Sequence, residues 1–316
     1  MRAFVVPEIG SDPILQEFRD PASDSGHPVG RMAAAALNPV DLVIAAGKMP
    51  HRKSVAPFVA GFEGVVDLGD QLVYVAGPPL PFGTLSELVP VPDQLAFPVP
   101  EGLDPALATT LGVPGLAAWL ALDYRGRLQA GETVLILGAG SVGQIAVQTA
   151  KILGAGRIVV LDRDKTALDA ALANGADAVV DISTDQGAQV DQDLGGAAAN
   201  GYDLVLDLLW GDIVNTVINH AAMHSRIVQV GNAAGPTSPL LASVFRNKHM
   251  SIIGMSIFAT PIDVRREAYA NLAKHALAGA IGSRYDAVPL DAVDDAWAAL
   301  KAGSPTKLVV TGPGLQ

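Results

Sequence analysis

The run Gly138-Ala-Gly-Ser-Val-Gly143 is the segment whose residue types and spacing most directly imply chemistry. It follows the apolar run "TVLIL" and opens the helix-length stretch "SVGQIAVQTAK". A turn of this kind uses Gly138 to reverse tightly, Gly140 to let a pyrophosphate approach the backbone, and Gly143 to let the helix pack on the strand. Ser141 and Val142 begin the helix, whose free N–H groups and partial positive charge face the phosphates. The glycine spacing alone is common, but Asp162 ends the next apolar run, "RIVVLD", 19 residues beyond Gly143. A dinucleotide fold carries the acid for the adenosine ribose hydroxyls there. A carboxylate about 4 Å from a 2′-phosphate is repelled by roughly 4 kcal/mol at an effective dielectric near 20. NAD(H) is therefore the favoured cofactor. Arg163 and Lys165 follow at once and offer positive charge to a phosphate, which keeps NADP(H) as the alternative.

Other residues carry possible chemistry. Gly231 and Asn232, in "VGNAAG", end a further strand-like run, where such folds bind ligands. In "VAGFEGVVDLGD" Phe62 stands beside Glu63 between two glycines. Glu63 reads more as a residue that ties its loop together than as a base. His220 and His224 have the i, i+4 spacing of a helical metal pair, but without a third ligand a structural role is favoured. His51 to Lys53 form a small basic cluster, read as a solvated loop or as an attractor of acidic substrate.

These residues need a scaffold, and the chain is long enough for two domains. Of its 316 residues, 50% are hydrophobic and 17% charged, an ordered globular composition. Up to about residue 110, short Val-rich runs between Pro and Gly read as a mostly β domain. One helix interrupts it, "NPVDLVIAAG", with Asn38 placed to cap and Pro39 at the first helical position. Beyond about 115, continuous Val/Ile/Leu runs alternate with Ala-rich helices, the pattern of a parallel sheet covered on both faces. "GDIVNTVINHAAM" reads as one of those helices. The C-terminal stretch holds two amphipathic helices and a final strand, "KLVVTG". A formal net charge of −11 disfavours nucleic-acid partners. The absence of cysteine removes disulfides, thiolate zinc sites and cysteine nucleophiles, and suggests a reducing cytoplasm. Neither a signal peptide nor an apolar run of membrane-spanning length is read in the sequence.

Together, "NPVD", "PFVAGFEGVVDLGD", "GTLSELVPVP", the Pro114–Trp119 connector, "GAGSVG" and "AWAALKAGSPTKLVV" resemble the medium-chain dehydrogenase/reductase family, in order and spacing, over nearly the whole chain. The resemblance implies an α/β architecture: a GroES-like β domain, residues 1–119 with 256–316 returning to it, around a Rossmann doubly wound parallel-sheet domain, 120–255. In the family's zinc enzymes the catalytic ligands would fall at Asn38, Phe62 and near Val113, and a proton-relaying hydroxyl near Val40. None of these is suited to its task, so the chain resembles the zinc-independent quinone oxidoreductase (zeta-crystallin-like) branch, with no metal expected. A tyrosine and an arginine common in that branch are replaced by Val43 and Ala45, which makes the site more apolar. On this resemblance Phe62 is an apolar wall of the catalytic site. Asn38 either bonds a substrate carbonyl or the nicotinamide ribose, or only caps its helix. Gly231, Asn232 and Ser256 are nicotinamide-side contacts, and Lys307 matches a lysine near the cleft. The implied activity is hydride transfer from NAD(P)H to a quinone or conjugated carbonyl, in a homodimer paired along "SIIGMS". An enoyl-thioester or alkenal reductase, and a non-catalytic cofactor-binding sensor or structural protein, are the alternatives.

Overall fold

A computed structural model describes residues 1–21, 26–49, 54–184, 187–198 and 200–312. The chain forms two compact units, a split one, Met1–Val113 with Ile262–Gln316, and a central one, Pro114–Pro261. The junctions thus lie at 113/114 and 261/262, not at the anticipated 119/120 and 255/256. At the first, the helical run kinks at Gly112, whose ψ is −110. At the second, the turn Ile257–Ala259 packs on Leu116–Leu120 and so stays with the central unit.

The split unit opens with β1 (Arg2–Val6), β2 (Ile14–Glu17), β3 (Val29–Ala36) and α1 (Pro39–Ala45). Five further strands follow: β4 (Phe58–Val59), β5 (Glu63–Asp67), β6 (Leu72–Ala76), β7 (Leu88–Pro90) and β8 (Ala96–Pro98). The helix α2 (Pro105–Thr110) then leads out, capped by Asp104. Proline at the first position of both helices costs nothing, because the N–H it lacks has no intrahelical partner there.

The central unit takes up α3 (Leu116–Leu120), β9 (Thr133–Leu137), α4 (Ser141–Ile152), β10 (Arg157–Asp162) and α5 (Lys165–Ala173). It continues with β11 (Ala178–Asp181), α6 (Gly187–Ala198), β12 (Tyr202–Asp207), α7 (Ile213–Asn219), β13 (Ala221–Gln229), α8 (Ala242–Lys248) and β14 (Ser251–Gly254). Its parallel sheet runs β11-β10-β9-β12-β13-β14, so the direction of winding reverses between β9 and β12. Leu135, Leu137, Val159, Leu161 and Val205 are fully buried in its core, as continuous apolar strands covered on both faces require.

The chain then returns to the split unit as α9 (Ile262–Leu277), β15 (Tyr285–Pro289), α10 (Val293–Lys301) and β16 (Lys307–Thr311). There β16 pairs with β3, in a sheet ordered β15-β16-β3-β5-β6-β8 with β7 also on β3, beside a smaller sheet β2-β1-β4. This is the anticipated architecture of a split β-rich domain around a doubly wound one.

Two local readings change. The helix anticipated over "GDIVNTVINHAAM" ends at Asn219, and Ala221 already begins β13. Lys248 stops it by donating to the carbonyls of Ile218, Asn219 and Ala221, a contact from a distant helix. Among the described residues one helical run, Pro105–Arg125, is apolar and long enough to cross a membrane, but 83% of its apolar window is buried inside the fold.

Candidate functional site

In the central unit the glycine turn has the geometry that phosphate binding needs. Gly138 has φ +105, a conformation costly to any side chain. A Cβ at Gly143 would collide with the Gly138 carbonyl oxygen, whereas one at Gly140 would meet nothing within 4 Å. The backbone is thus tight where helix meets strand and open where a phosphate would approach, at the N-terminus of the twelve-residue α4. Asp162, half-buried at the end of β10, accepts from Ala139 N at 2.5 Å, Arg163 N at 2.7 Å and Asp164 N at 3.0 Å. It therefore closes the glycine turn. Gln144 braces the same loop, donating at 2.8 Å to the carbonyls of Ala139 and Ala167. The Arg163 side chain is exposed and makes no hydrogen bond or ion pair with the described residues. These residues fit a dinucleotide.

At the carboxyl ends of β12, β13 and β14 lies a pocket of about 550 Å³, lined by Trp210, Gln229, Gly231, Asn232 and Ile252 among others. Gly231 packs so closely on Leu208 that a Cβ there would strike its carbonyl. Asp207 is fully buried, and its Oδ1 accepts from Leu209 N at 3.0 Å and Trp210 N at 2.8 Å. Its Oδ2 has no partner among the described residues, and burial pushes its pKa up. Gln229 donates to the Gly231 carbonyl at 2.7 Å. Gly231 and Asn232, singled out in the sequence, line this pocket; Asp207, Trp210 and Gln229 were not singled out. An acid ending a strand in "LVLDLLWGD" was the available signal. Ser256 does not line this pocket; its carbonyl accepts from the Thr260 hydroxyl at 2.9 Å.

In the split unit, Asn38, Asp41, Glu63, Tyr74 and Lys307 form one buried polar cluster. Glu63 Oε1 accepts from Asn38 Nδ2 at 2.7 Å, and Oε2 from Tyr74 OH at 2.8 Å and Val113 N at 2.5 Å. Lys307 donates to Asn38 Oδ1 and to the Leu37 carbonyl, with Glu63 Oε1 at 3.9 Å. Asn38 thus spends both ends of its amide within the cluster. Asn38 and Asp41 form a capping box at the start of α1. In it Asp41 accepts from Asn38 N at 2.7 Å, and it also accepts from Phe62 N at 2.8 Å.

Burial pushes Asp41 up to about 7 against the opposing hydrogen bond from Asn38 N, and raises Glu63 against the opposing charge of Lys307. Lys307 is lowered by burial, against the two carboxylates. Phe62 is 6% exposed and belongs to the hydrophobic core, with Val113 and Val40 packed against that core. The three positions expected to replace zinc ligands therefore gather around Glu63, with an ammonium group among them. Two of them carry no donor side chain and the third is already bonded, so this set does not fit zinc. Among the described residues no group of three or more His, Asp or Glu side chains could hold a metal ion.

The histidine pair is not a helical pair. His220 ends α7 and bonds Asp191 at 2.8 Å, while His224 lies in β13 against the ring of His249. His51 to Lys53 lie outside the described residues.

Comparison with known proteins places the chain. The family described as "Zinc-binding dehydrogenase" matches residues 141–275. The chain is 29% identical over 302 residues to part of a phenolphthiocerol/phthiocerol polyketide synthase of Mycobacterium tuberculosis, a match that covers 90% of this chain but only 13% of that much longer one. It is 28% identical over 274 residues to the quinone oxidoreductase of Rattus norvegicus, covering 82% of this chain and 81% of that one. The crystal structure of the quinone oxidoreductase from Thermus thermophilus, solved also with NADPH, matches with a TM-score of 0.84 at 27% identity, over 98% of this chain and 100% of that one.

Proposed function

Because the chain belongs to the medium-chain dehydrogenase/reductase family, in its quinone oxidoreductase branch, we propose that it reduces a quinone or a conjugated carbonyl at the expense of a nicotinamide dinucleotide, as a soluble cytoplasmic homodimer. The observation that carries this reading is the Gly138–Gly143 turn, tight at Gly143, open at Gly140 and closed by Asp162. When bound, the cofactor supplies the hydride. The protein's residues supply position: the N–H groups of α4 hold the pyrophosphate and Asp162 holds the adenosine ribose.

The Thermus enzyme was crystallised with NADPH, which weighs against the NADH preference expected from Asp162. We adopt NADPH as the working cofactor, with the free Arg163 guanidinium as the group placed to meet its 2′-phosphate. No step is routed through zinc, despite the family's description, because the donor set does not fit it. An acceptor that spreads negative charge over a conjugated system needs no Lewis acid, and this favours quinones and enones over simple alcohols and ketones.

A second reading, reduction of an enoyl thioester, is favoured by the match of 90% of this chain to part of a polyketide synthase. A steady-state screen crossing NADPH and NADH with quinones, enones, enoyl thioesters, aldehydes and alcohols tests both. Fastest turnover of a quinone or enone supports the first reading, and of an enoyl thioester the second. Cofactor binding with no turnover of any acceptor would refute both.

A further inference from the structure

Trp210 follows β12 with φ +55, in the left-handed region that bulky residues avoid. Such a conformation persists only where the surroundings over-determine it, and it marks sites where strain serves a purpose. The holding device is Asp207, whose buried carboxylate takes the Leu209 and Trp210 N–H groups and leaves its other oxygen without a partner among the described residues. One turn therefore combines a strained tryptophan with a half-satisfied buried acid. The connection itself does not require the tryptophan, since glycine at 210 would adopt this backbone freely. What tryptophan adds is its indole, which packs partly on the central core and otherwise lines the 550 Å³ pocket with Gln229 and Asn232.

The position of that pocket suggests its occupant. The sheet reverses between β9 and β12, and a dinucleotide lies across such a reversal. Its adenosine half belongs over β9 and β10, beside Asp162. Its other half then falls over β12 and β13, beside Trp210. Resting on the dinucleotide reading above, we propose that Trp210 is a binding residue for the nicotinamide half, its indole forming an aromatic wall for a flat heterocycle. The Asn232 amide and the Gln229 side-chain oxygen, on the same pocket, are matched to the carboxamide that ring carries.

The test compares NADPH with 2′,5′-ADP, the adenosine half alone, by calorimetry. Trp210→Gly and Trp210→Asn both suit a left-handed backbone, and their melting temperatures serve as the fold control. Each should weaken NADPH binding by roughly five- to ten-fold and leave 2′,5′-ADP within about two-fold, with Trp210→Phe between them and wild type. The chain has three tryptophans, and Trp119 and Trp297 are only 5% and 3% exposed. Quenching of tryptophan emission by NADPH at a saturating concentration should also be smaller in both variants than in wild type. If both ligands weaken equally, or neither changes, Trp210 is a structural residue and the proposal is wrong, while the dinucleotide reading stands. If wild type binds neither ligand, the dinucleotide reading and this proposal fall together. Should the Gly and Asn variants not fold, the same comparison on Trp210→Phe decides, with unchanged NADPH affinity and unchanged quenching as the contrary result.

Discussion

Asp162 closes the glycine turn in addition to the ribose-binding role proposed for it. Its place at the end of "RIVVLD" is legible from spacing, but its bonds to Ala139 N, Arg163 N and Asp164 N are not. If the carboxylate also faces the adenosine ribose, as proposed, Asp162→Ser should raise kcat/KM for NADPH relative to NADH by about ten-fold, after screening. Initial-rate kinetics with both cofactors check this, and an unchanged ratio would transfer control to Arg163. The cluster around Glu63 was only half legible. Asn38 and Lys307 stood out by resemblance and Glu63 by its place beside Phe62, whereas Asp41 and Tyr74 did not, because nothing in sequence reveals which polar side chains share a buried space.

That cluster holds two carboxylates against one ammonium, which gives folding a pH dependence. Asp41 is raised from 3.8 to about 7 in the folded chain, chiefly by burial. Between those values the folded state holds a proton that the unfolded state has released. The contribution of Asp41 to stability is therefore complete below about pH 4 and is lost as pH rises through about 7, by up to ~1.4 kcal/mol per pH unit. Urea unfolding from pH 4 to 8 should show stability falling up to about pH 7 in wild type, and a shallower fall in Asp41→Asn, where the raised Glu63 remains. Equal slopes would place the titration elsewhere.

At the scale of elements, long periodic segments were the readable ones. The strands β9, β10 and β12, and the helices α4, α5, α9 and α10, sit where their apolar runs put them. The helix α6 was not found, since "GAQVDQDLGGAA" buries only Val190, Leu194 and Ala198 among polar residues and glycines. The start of β13 was hidden because a lysine 28 positions after His220, on α8, ends the preceding helix. The phosphate turn separates two kinds of glycine. Gly143→Ala forces its Cβ onto the Gly138 carbonyl and should both lower the melting temperature and weaken cofactor binding. Gly140→Ala finds open space at an ordinary φ of −67, so it should melt like wild type yet bind NADPH at least ~ten-fold more weakly. Calorimetry and thermal melts on the pair decide the matter. Unimpaired binding by Gly140→Ala would mean that no phosphate lies against that residue.

For the molecule as a whole, the two-unit architecture was legible because β-rich and alternating βα textures differ so strongly along the chain. The junctions were less so, since the apolar helical run from Pro105 to Arg125, kinked at Gly112, passes through the first of them. The central claim concerns chemistry: hydride passes from a bound nicotinamide to a conjugated acceptor, on a scaffold whose Asn38, Phe62 and Val113 do not fit zinc. The direct measurement is single-turnover reduction of an enone by NADPH deuterated at the transferring C4 position, with a chelator present and the product analysed by mass and NMR. One deuterium per product, bound at the β-carbon, at a rate unchanged by chelator, is the expected result. Loss of turnover on chelation, or a product that carries no deuterium, would contradict the account.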